Sequence, residues 1–320
     1  MGRGLWRGVL LLLGVWLLGA APLHAQSSSA TLLAAGDIGD CAQGRPVQTA
    51  ALLDAHTGII LTLGDTTYPY GAAREFNDCF APTWGRHRAR IRPVPGNHDY
   101  YTPGAAGYYG YFGAAATPRQ PDCVADCEGY YAYTLGEWRV YALNSERDMA
   151  AGSAQVAWLQ AELAAHPAAC ILAYWHHPRF SSGGHGGDVR SAAIWEALSA
   201  AGADLVLVGH DHHYERFAPQ TPAGVADGAT GIRQFVVGTG GAPLHATQQR
   251  AAHSEVRRAD TWGVLRLTLD PTRYAWEFVP VDGGSFTDSG QGSCIGVTDA
   301  MTQQLHLPLI TGAAGQKGPE

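Results

Sequence analysis

The stretch Ile59-Ile60-Leu61-Thr62-Leu63-Gly64-Asp65-Thr66-Thr67-Tyr68 decides the fold. Its first five residues are apolar or β-branched, the pattern of a short buried strand. Gly64 lets the backbone turn sharply, and Asp65 and Tyr68 follow at the strand's C-terminal end. The pattern recurs. Thr31–Ala35 runs into Gly36-Asp37-Ile38-Gly39, and Ile91–Val94 into Gly96-Asn97-His98-Asp99. Cys170–Tyr174 runs into Trp175-His176-His177-Pro178, and Leu205–Val208 into Gly209-His210-Asp211-His212-His213. Five expected strands thus end in Asp, Asn or His. Ligand sites of open α/β sheets gather at that edge.

Further strands are expected at Tyr130–Leu135, Trp138–Leu143, Ile232–Val237, Val264–Leu269 and Tyr274–Val279. Helical patterns lie at Pro46–Ala55, Ser153–Ala165 and Val189–Ala200, with Pro46 in a first turn and Ser153 as an N-cap. Strand and helix alternate early and strands dominate late. That indicates an α/β domain with mixed sheets rather than an all-β sandwich. The segment 281–293 reads as a Gly/Ser-rich loop. One domain is expected over residues 26–300, with a frayed tail over 301–320.

The 320 residues are 46% hydrophobic, enough for a sizeable core, and Gly and Pro stay below low-complexity levels. Collagen and wholesale disorder are excluded. Only 15% of residues are charged and the net charge is −7. Arg supplies nearly all the positive charge, Lys317 being the one lysine. With no basic tract, a nucleic-acid-coating protein is not expected.

Arg3 and Arg7 precede the apolar run Gly8–Ala20, followed by Ala21-Pro22-Leu23-His24-Ala25. This is the plan of a signal peptide over residues 1–25. The run is shorter than the roughly 20 residues that span a bilayer. The expectation is a secreted or periplasmic protein with no membrane anchor after cleavage, its net charge moving from −7 to −9 as Arg3 and Arg7 leave. An oxidising compartment makes the six cysteines readable as disulfides. Six permit 15 connectivities; the favoured one is Cys41–Cys79, Cys123–Cys127 and Cys170–Cys294. A structural zinc is the weaker alternative, since only Cys123 and Cys127 stand close together.

A single strand-end Asp is most often a turn residue. Five such clusters of metal-ligand type in one chain point instead to a metal site. Carboxylate, amide, imidazole and phenolate together suit Fe, Zn or Mn. They also exceed what one ion needs. Two divalent ions 4 Å apart repel by roughly 17 kcal/mol at an effective dielectric near 20, so a bridging carboxylate is required. Two-metal sites at that spacing clamp phosphoryl groups and activate water.

The blocks GDIG, GDTTY, GNHD, AYWH and GHDH, in this order, resemble the calcineurin-like metallophosphoesterase superfamily. Gly39, and Tyr68 three after Asp65, resemble its purple acid phosphatase branch; most other branches carry a His where Gly39 stands. The fourth block departs from the family in opening with Ala173, where Val is usual, and the N-terminal β-domain of large plant members is lacking. The resemblance implies a four-layer αββα sandwich of two mixed β-sheets, with metals at the C-terminal strand ends. It implies a phosphatase that hydrolyses small phosphomonoesters with metal-activated hydroxide. Two metal ions are implied, Fe(III) plus Zn(II), Fe(II) or Mn(II). Asp37, Tyr68 and His212 would bind the first; Asn97, His176 and His210 the second; Asp65 would bridge them. With Fe(III) present, these ligands and one hydroxide leave the site near +1.

His98 and His185 would contact phosphate or protonate the leaving group, and Asp99 is grouped with them as catalytic. His177 and His213 are neighbours of ligands and fall outside the His-x-Pro and Gly-His-x-His spacings. Phosphodiesters are an alternative substrate, and a non-catalytic metal-binding surface protein an alternative of a different class. Four smaller readings remain. The run 236–241 resembles a phosphate loop but lacks the Gly-Lys-Ser/Thr that would follow, so a tight turn is expected. The aromatic run Tyr100–Phe112 is either a substrate-facing lid or a packed surface loop. Arg179 would assist substrate capture, and Glu215 and Arg216 would pair beneath the site.

Overall fold

A computed structural model describes residues 29–296. The expected signal peptide (1–25) and tail (301–320) lie outside the described residues. Among the described residues thirteen strands form: β1 (Ala30–Ala35), β2 (Ile59–Leu63), β3 (Ile91–Val94), β4 (Tyr131–Leu135), β5 (Trp138–Ala142), β6 (Cys170–Tyr174), β7 (Leu205–Val208), β8 (Tyr214–Phe217), β9 (Arg233–Val237), β10 (Ser254–Arg258), β11 (Gly263–Asp270), β12 (Arg273–Pro280) and β13 (Ser289–Ser293). One sheet has the order β13-β12-β11-β1-β2-β3, the other β10-β8-β9-β7-β6-β5-β4. In the first, β1, β2 and β3 run parallel while β11, β12 and β13 are antiparallel. In the second, β5, β6, β7 and β9 run parallel.

Both sheets bury one face against the other, in a core that includes Leu33, Leu61, Leu172, Leu207, Phe235 and Leu265. The outer face of the second sheet is covered by helices Ala154–Ala165 and Ala192–Ala200 through Leu159, Trp195 and Leu198. Helix Pro46–Ala55 lies on the first sheet beside β11. The result is the expected four-layer sandwich. Parallel strands that are apolar on both faces need cover on both, which the facing sheet and the helices supply. Ser153 caps its helix, its Oγ accepting from Val156 N–H at 3.3 Å. The expected helix from Val189 opens with a 3-10 turn over Val189–Ser191.

The favoured cysteine pairing is the one formed: Cys41–Cys79, Cys123–Cys127 and Cys170–Cys294. Cys170 opens β6 and Cys294 follows β13, so this bond ties one sheet to the other. Three strands were not legible. β8 and β10 are short and charged, as edge-region strands tend to be. β13 corrects the expected loop over 281–293. Its Gly290 and Gly292 lie under the rings of Trp276 and Tyr274, where a Cβ would come within 2.4 Å of ring atoms. The strand is held by aromatic cover across glycine rather than by β-propensity. Among the described residues, no helix is long and apolar enough to cross a membrane.

Candidate metal centre

The C-terminal ends of β1, β2 and β3 meet those of β6 and β7 at one rim of the sandwich. Backbone bonds stitch the turns together. Gly36 N–H donates to Val237 O at 2.9 Å, Asp37 N–H to Gly64 O at 3.0 Å, and Gly209 N–H to His176 O at 2.9 Å. Asp37, Asp65 and His210 all have left-handed φ, at 59°, 49° and 70°. Non-glycine residues adopt that region at a cost, and such strain collects at functional sites. Here it turns each side chain from strand direction into the crevice between the sheets.

Two groups of donor atoms result. In the first, Tyr68 Oη lies 2.9 Å from Asp37 Oδ1 and 3.1 Å from His212 Nε2, with His212 Nε2 to Asp37 Oδ1 at 3.2 Å. In the second, His176 Nε2 lies 3.1 Å from Asn97 Oδ1, 3.2 Å from His210 Nδ1 and 3.4 Å from Asp65 Oδ2. Asp65 Oδ2 also accepts from Tyr68 Oη at 3.1 Å, and so touches both groups. Edges of about 3 Å are what adjacent ligands roughly 2.1 Å from one ion require. The donor set therefore fits a pair of cations, and Asp65, His176 and His210 alone already form a metal-compatible cluster. The second such cluster, Cys170, Asp204 and Cys294, is closed to metal by its disulfide.

The imidazoles are aimed from behind. His176 Nδ1 donates to Leu63 O at 2.8 Å and His212 Nδ1 to Pro243 O at 2.7 Å, which leaves each Nε2 lone pair facing the cluster. Outer hydrogen bonds of this kind orient metal-ligating histidines. Titration reflects the crowding. Burial lowers the His176 value, but Asp65 overrides it and holds the imidazole at about 10. Burial, then the neighbouring His176, His177 and His185, push His210 far down. Burial, then the carboxylates of Asp37 and Asp65, drive the Tyr68 phenol well above its ordinary value. A cation among these groups would lower the raised His176 and Tyr68 values, and the downward push on His210 already keeps that imidazole neutral, the form that ligates a metal.

His98 lies beside the cluster, its Nδ1 donating to Pro69 O at 2.7 Å and its Nε2 4.0 Å from Asp65 Oδ2. His185 is half-exposed, its Nδ1 held by Asp211 Oδ1 at 2.9 Å and its ring 4.3 Å from that of His210. Asp99 does not join them. It is fully buried behind the site and accepts from Gly96 N–H at 2.9 Å and Thr66 N–H at 3.2 Å, with burial, then Asp65, raising its carboxyl to about 8. It clips the second strand-end turn to the third.

The set-aside histidines have partners of their own, although the His177 ring lies 4.1 Å from that of His210. His177 binds Ser145 Oγ and Glu146, and His213 binds Glu215. Glu215 and Arg216 do not pair. They alternate along β8, Glu215 serving His213 and Ser182, Arg216 serving Asp288 and Glu255. Arg179 is tied to Pro222 O at 3.2 Å. The run 236–241 makes the expected turn, passing so close that a Cβ on Gly238 would lie 2.9 Å from Asp37 Oδ2. Two residues went unread. Asp211 orients His185, and His245 stacks on His212 at 4.3 Å. Asp211, between His210 and His212, carried a signal in that spacing; His245, isolated in a loop, carried none.

A family model described as calcineurin-like phosphoesterase matches residues 30–214, from β1 into β8. No curated protein matches the sequence. Among solved structures, the fold is similar to that of purple acid phosphatase PPD1 from yellow lupin (Lupinus luteus) seeds, with TM-score 0.67 and 20% identity over 84% of this chain and 54% of that one. The chain thus spans about half the length of the lupin protein. It is also similar to GAP50, the anchor in the inner membrane complex of Plasmodium, with TM-score 0.63 and 14% identity over 91% and 99% of the two chains. At these identities the likeness is one of fold.

The close approach of Gly96 to Asp65 yields a test. A Cβ on Gly96 would stand 2.3 Å from Asp65 Oδ1 and 2.4 Å from its backbone N, so Asp65 must move. Gly96→Ala is expected to lower unfolding free energy by about 1–3 kcal/mol in urea titration and to reduce zinc uptake. Gly110→Ala, with open space around its Cβ, is the control. Unchanged zinc uptake in Gly96→Ala would remove Asp65 from the ligand set.

Proposed function

The chain belongs to the calcineurin-like phosphoesterase family, and we propose that it is an exported phosphatase that hydrolyses small phosphomonoesters at a two-metal centre. The observation that carries this reading is Asp65 Oδ2, within 3.1 Å of one donor group and 3.4 Å of a member of the other. Asp37, Tyr68 and His212 would hold one ion, Asn97, His176 and His210 the second, and Asp65 both. A bound pair supplies Lewis acidity toward phosphoryl oxygens and acidifies water. The chain's own residues do the rest. Leu63 O and Pro243 O keep His176 and His212 in the tautomer that points Nε2 inward. Asp99 fixes the turn bearing Asn97 and His98 against the turn bearing Asp65. His98 flanks the cluster on the Tyr68 side and His185 on the His210 side. One contacts phosphoryl oxygens and the other passes a proton to the leaving oxygen.

The domain would span residues 26–300. Three disulfides suit an oxidising compartment, in line with export after removal of residues 1–25. The non-catalytic alternative is disfavoured by the complete donor set and by two histidines placed beside it without a ligand's role. Hydrolysis of p-nitrophenyl phosphate and of its bis ester by the metal-loaded protein tests the reading, the monoester being the faster. His185→Ala and His98→Ala are each expected to keep both metals. Loss of the proton donor should lower the rate about 10²–10⁴-fold, most on poor leaving groups. Metal loss from either variant would make that histidine a ligand instead.

Tyr68 bears on the metals. Fe(III) can hold a phenolate although burial and the neighbouring carboxylates raise the phenol, because the ion's charge reverses that shift. We assign Fe(III) to the Asp37, Tyr68 and His212 group and a divalent Zn, Fe or Mn to the other. The iron-loaded aerobic protein should then be coloured by phenolate-to-iron charge transfer and be most active at acidic pH. Tyr68→Phe should lose the band; a band that survives unchanged would remove Tyr68 from the metal and sink the purple-branch assignment, while no band in the iron-loaded wild type would point to two divalent ions.

A further inference from the structure

Most of the aromatic run Tyr100–Phe112 packs inward. Tyr108, Tyr109 and Phe112 are buried with Phe76 and Phe80, and Tyr111 stacks on Phe76 at 5.1 Å. The helix Ala106–Phe112 is therefore core, not lid. Tyr101 is the exception, 56% exposed. It is not loose. Its backbone N–H donates to His98 O at 3.2 Å, its ring lies 4.6 Å from the His98 ring, and its hydroxyl accepts from Asn97 Nδ2 at 3.4 Å. The His98 ring in turn lies 4.4 Å from that of Tyr68. A row of three rings, Tyr68, His98 and Tyr101, thus leads from the donor cluster to solvent.

A second exposed ring stands on the same side. Tyr70 is 61% exposed, and its carbonyl accepts from Thr102 Oγ1 at 2.8 Å, which joins its turn to the one bearing Tyr101. The opposite side is different in kind, rimmed by His185, Asp211 and His245. Exposed phenol rings stand on the first side and imidazoles on the other. A rigid exposed ring one ring's width beyond a phosphate contact offers a flat face. Flat aromatic groups match it by offset stacking, worth several-fold in affinity beyond burial alone.

We infer that Tyr101, backed by Tyr70, is the specificity surface of this site and selects phosphate esters whose organic group carries an aromatic ring, directed to the His98 side. The inference rests on the phosphoesterase reading and names the substrate class for it. The shared chemistry is an aromatic ring, either adjacent to the ester, as in aryl and benzyl phosphates, or one sugar away, as in nucleotides.

Phosphonates, which are not hydrolysed, separate binding from turnover. Benzylphosphonate is compared with cyclohexylmethylphosphonate, and the 5′-phosphonate of adenosine with that of ribose, by calorimetry on the metal-loaded protein. In at least one pair the aromatic member is expected to bind about five-fold or more tightly. The pair that shows it identifies the ring's distance from phosphorus. Tyr101→Ala should bring the ratio within about two-fold, and Tyr101→Phe should keep it, since stacking needs the ring and not the hydroxyl. Equal affinities in both pairs, a preference that survives Tyr101→Ala, or no binding by any of the four overturns the inference. Turnover of phosphate esters with equal affinities overturns it alone. A Tyr101-dependent preference with no turnover of any ester upholds it and overturns the phosphoesterase reading instead.

Discussion

Two buried carboxylates, Asp37 and Asp65, both accept from one phenol oxygen, that of Tyr68, and each also faces an imidazole, His212 or His176. The rest of the structure is arranged to make that crowding possible. Two sheets must present parallel strand ends to the same crevice, and the backbone must enter the left-handed region at Asp37, Asp65 and His210. Glycine must stand wherever another chain segment passes the carboxylates. Gly96 abuts Asp65, and a Cβ on Gly209 would stand 2.7 Å from Asp37 Oδ2. Burying two anions without cations is unfavourable by several kcal/mol per ion even after relaxation. Within the chain, imidazoles stand against that charge, His176 with its value raised by Asp65.

Much of this was legible because the two periodicities agree. β2, β3, β6 and β7 begin and end where their apolar runs do, and each run is followed within two residues by a glycine or a His at the rim. What escaped reading did so for physical reasons. β13 has no apolar pattern, since its stability comes from Trp276 and Tyr274 lying over Gly290 and Gly292. Asp99 has the same residue type and strand-end position as the ligand carboxylates. Only the three-dimensional course of the turn shows that its oxygens point back to Gly96 and Thr66. Glu215 and Arg216 are adjacent in sequence, yet strand alternation sends them to opposite faces. His245 reaches His212 across a loop whose path no local pattern encodes.

The same fold appears in solved proteins described as a phosphatase and as an anchor, so architecture alone does not decide function. The decision rests on whether the donor atoms are complete, aimed and accompanied by groups with no structural task. Here His176 and His212 have one nitrogen committed to a backbone carbonyl and the other directed inward. His98 and His185 have one nitrogen anchored and the other left for solvent or substrate. The proposed division between holding and reacting histidines is what a hydrolytic centre needs and a purely structural metal site does not.

The central claim is that one carboxylate, Asp65, holds two metal ions in this chain. It is tested most directly by counting metals per chain by mass spectrometry, in the wild type and in Asp65→Ala, after loading with iron and zinc and exhaustive removal of free ions. The account predicts two tightly held ions per wild-type chain and fewer than two in Asp65→Ala. One ion per wild-type chain, or two retained in the variant, would contradict it.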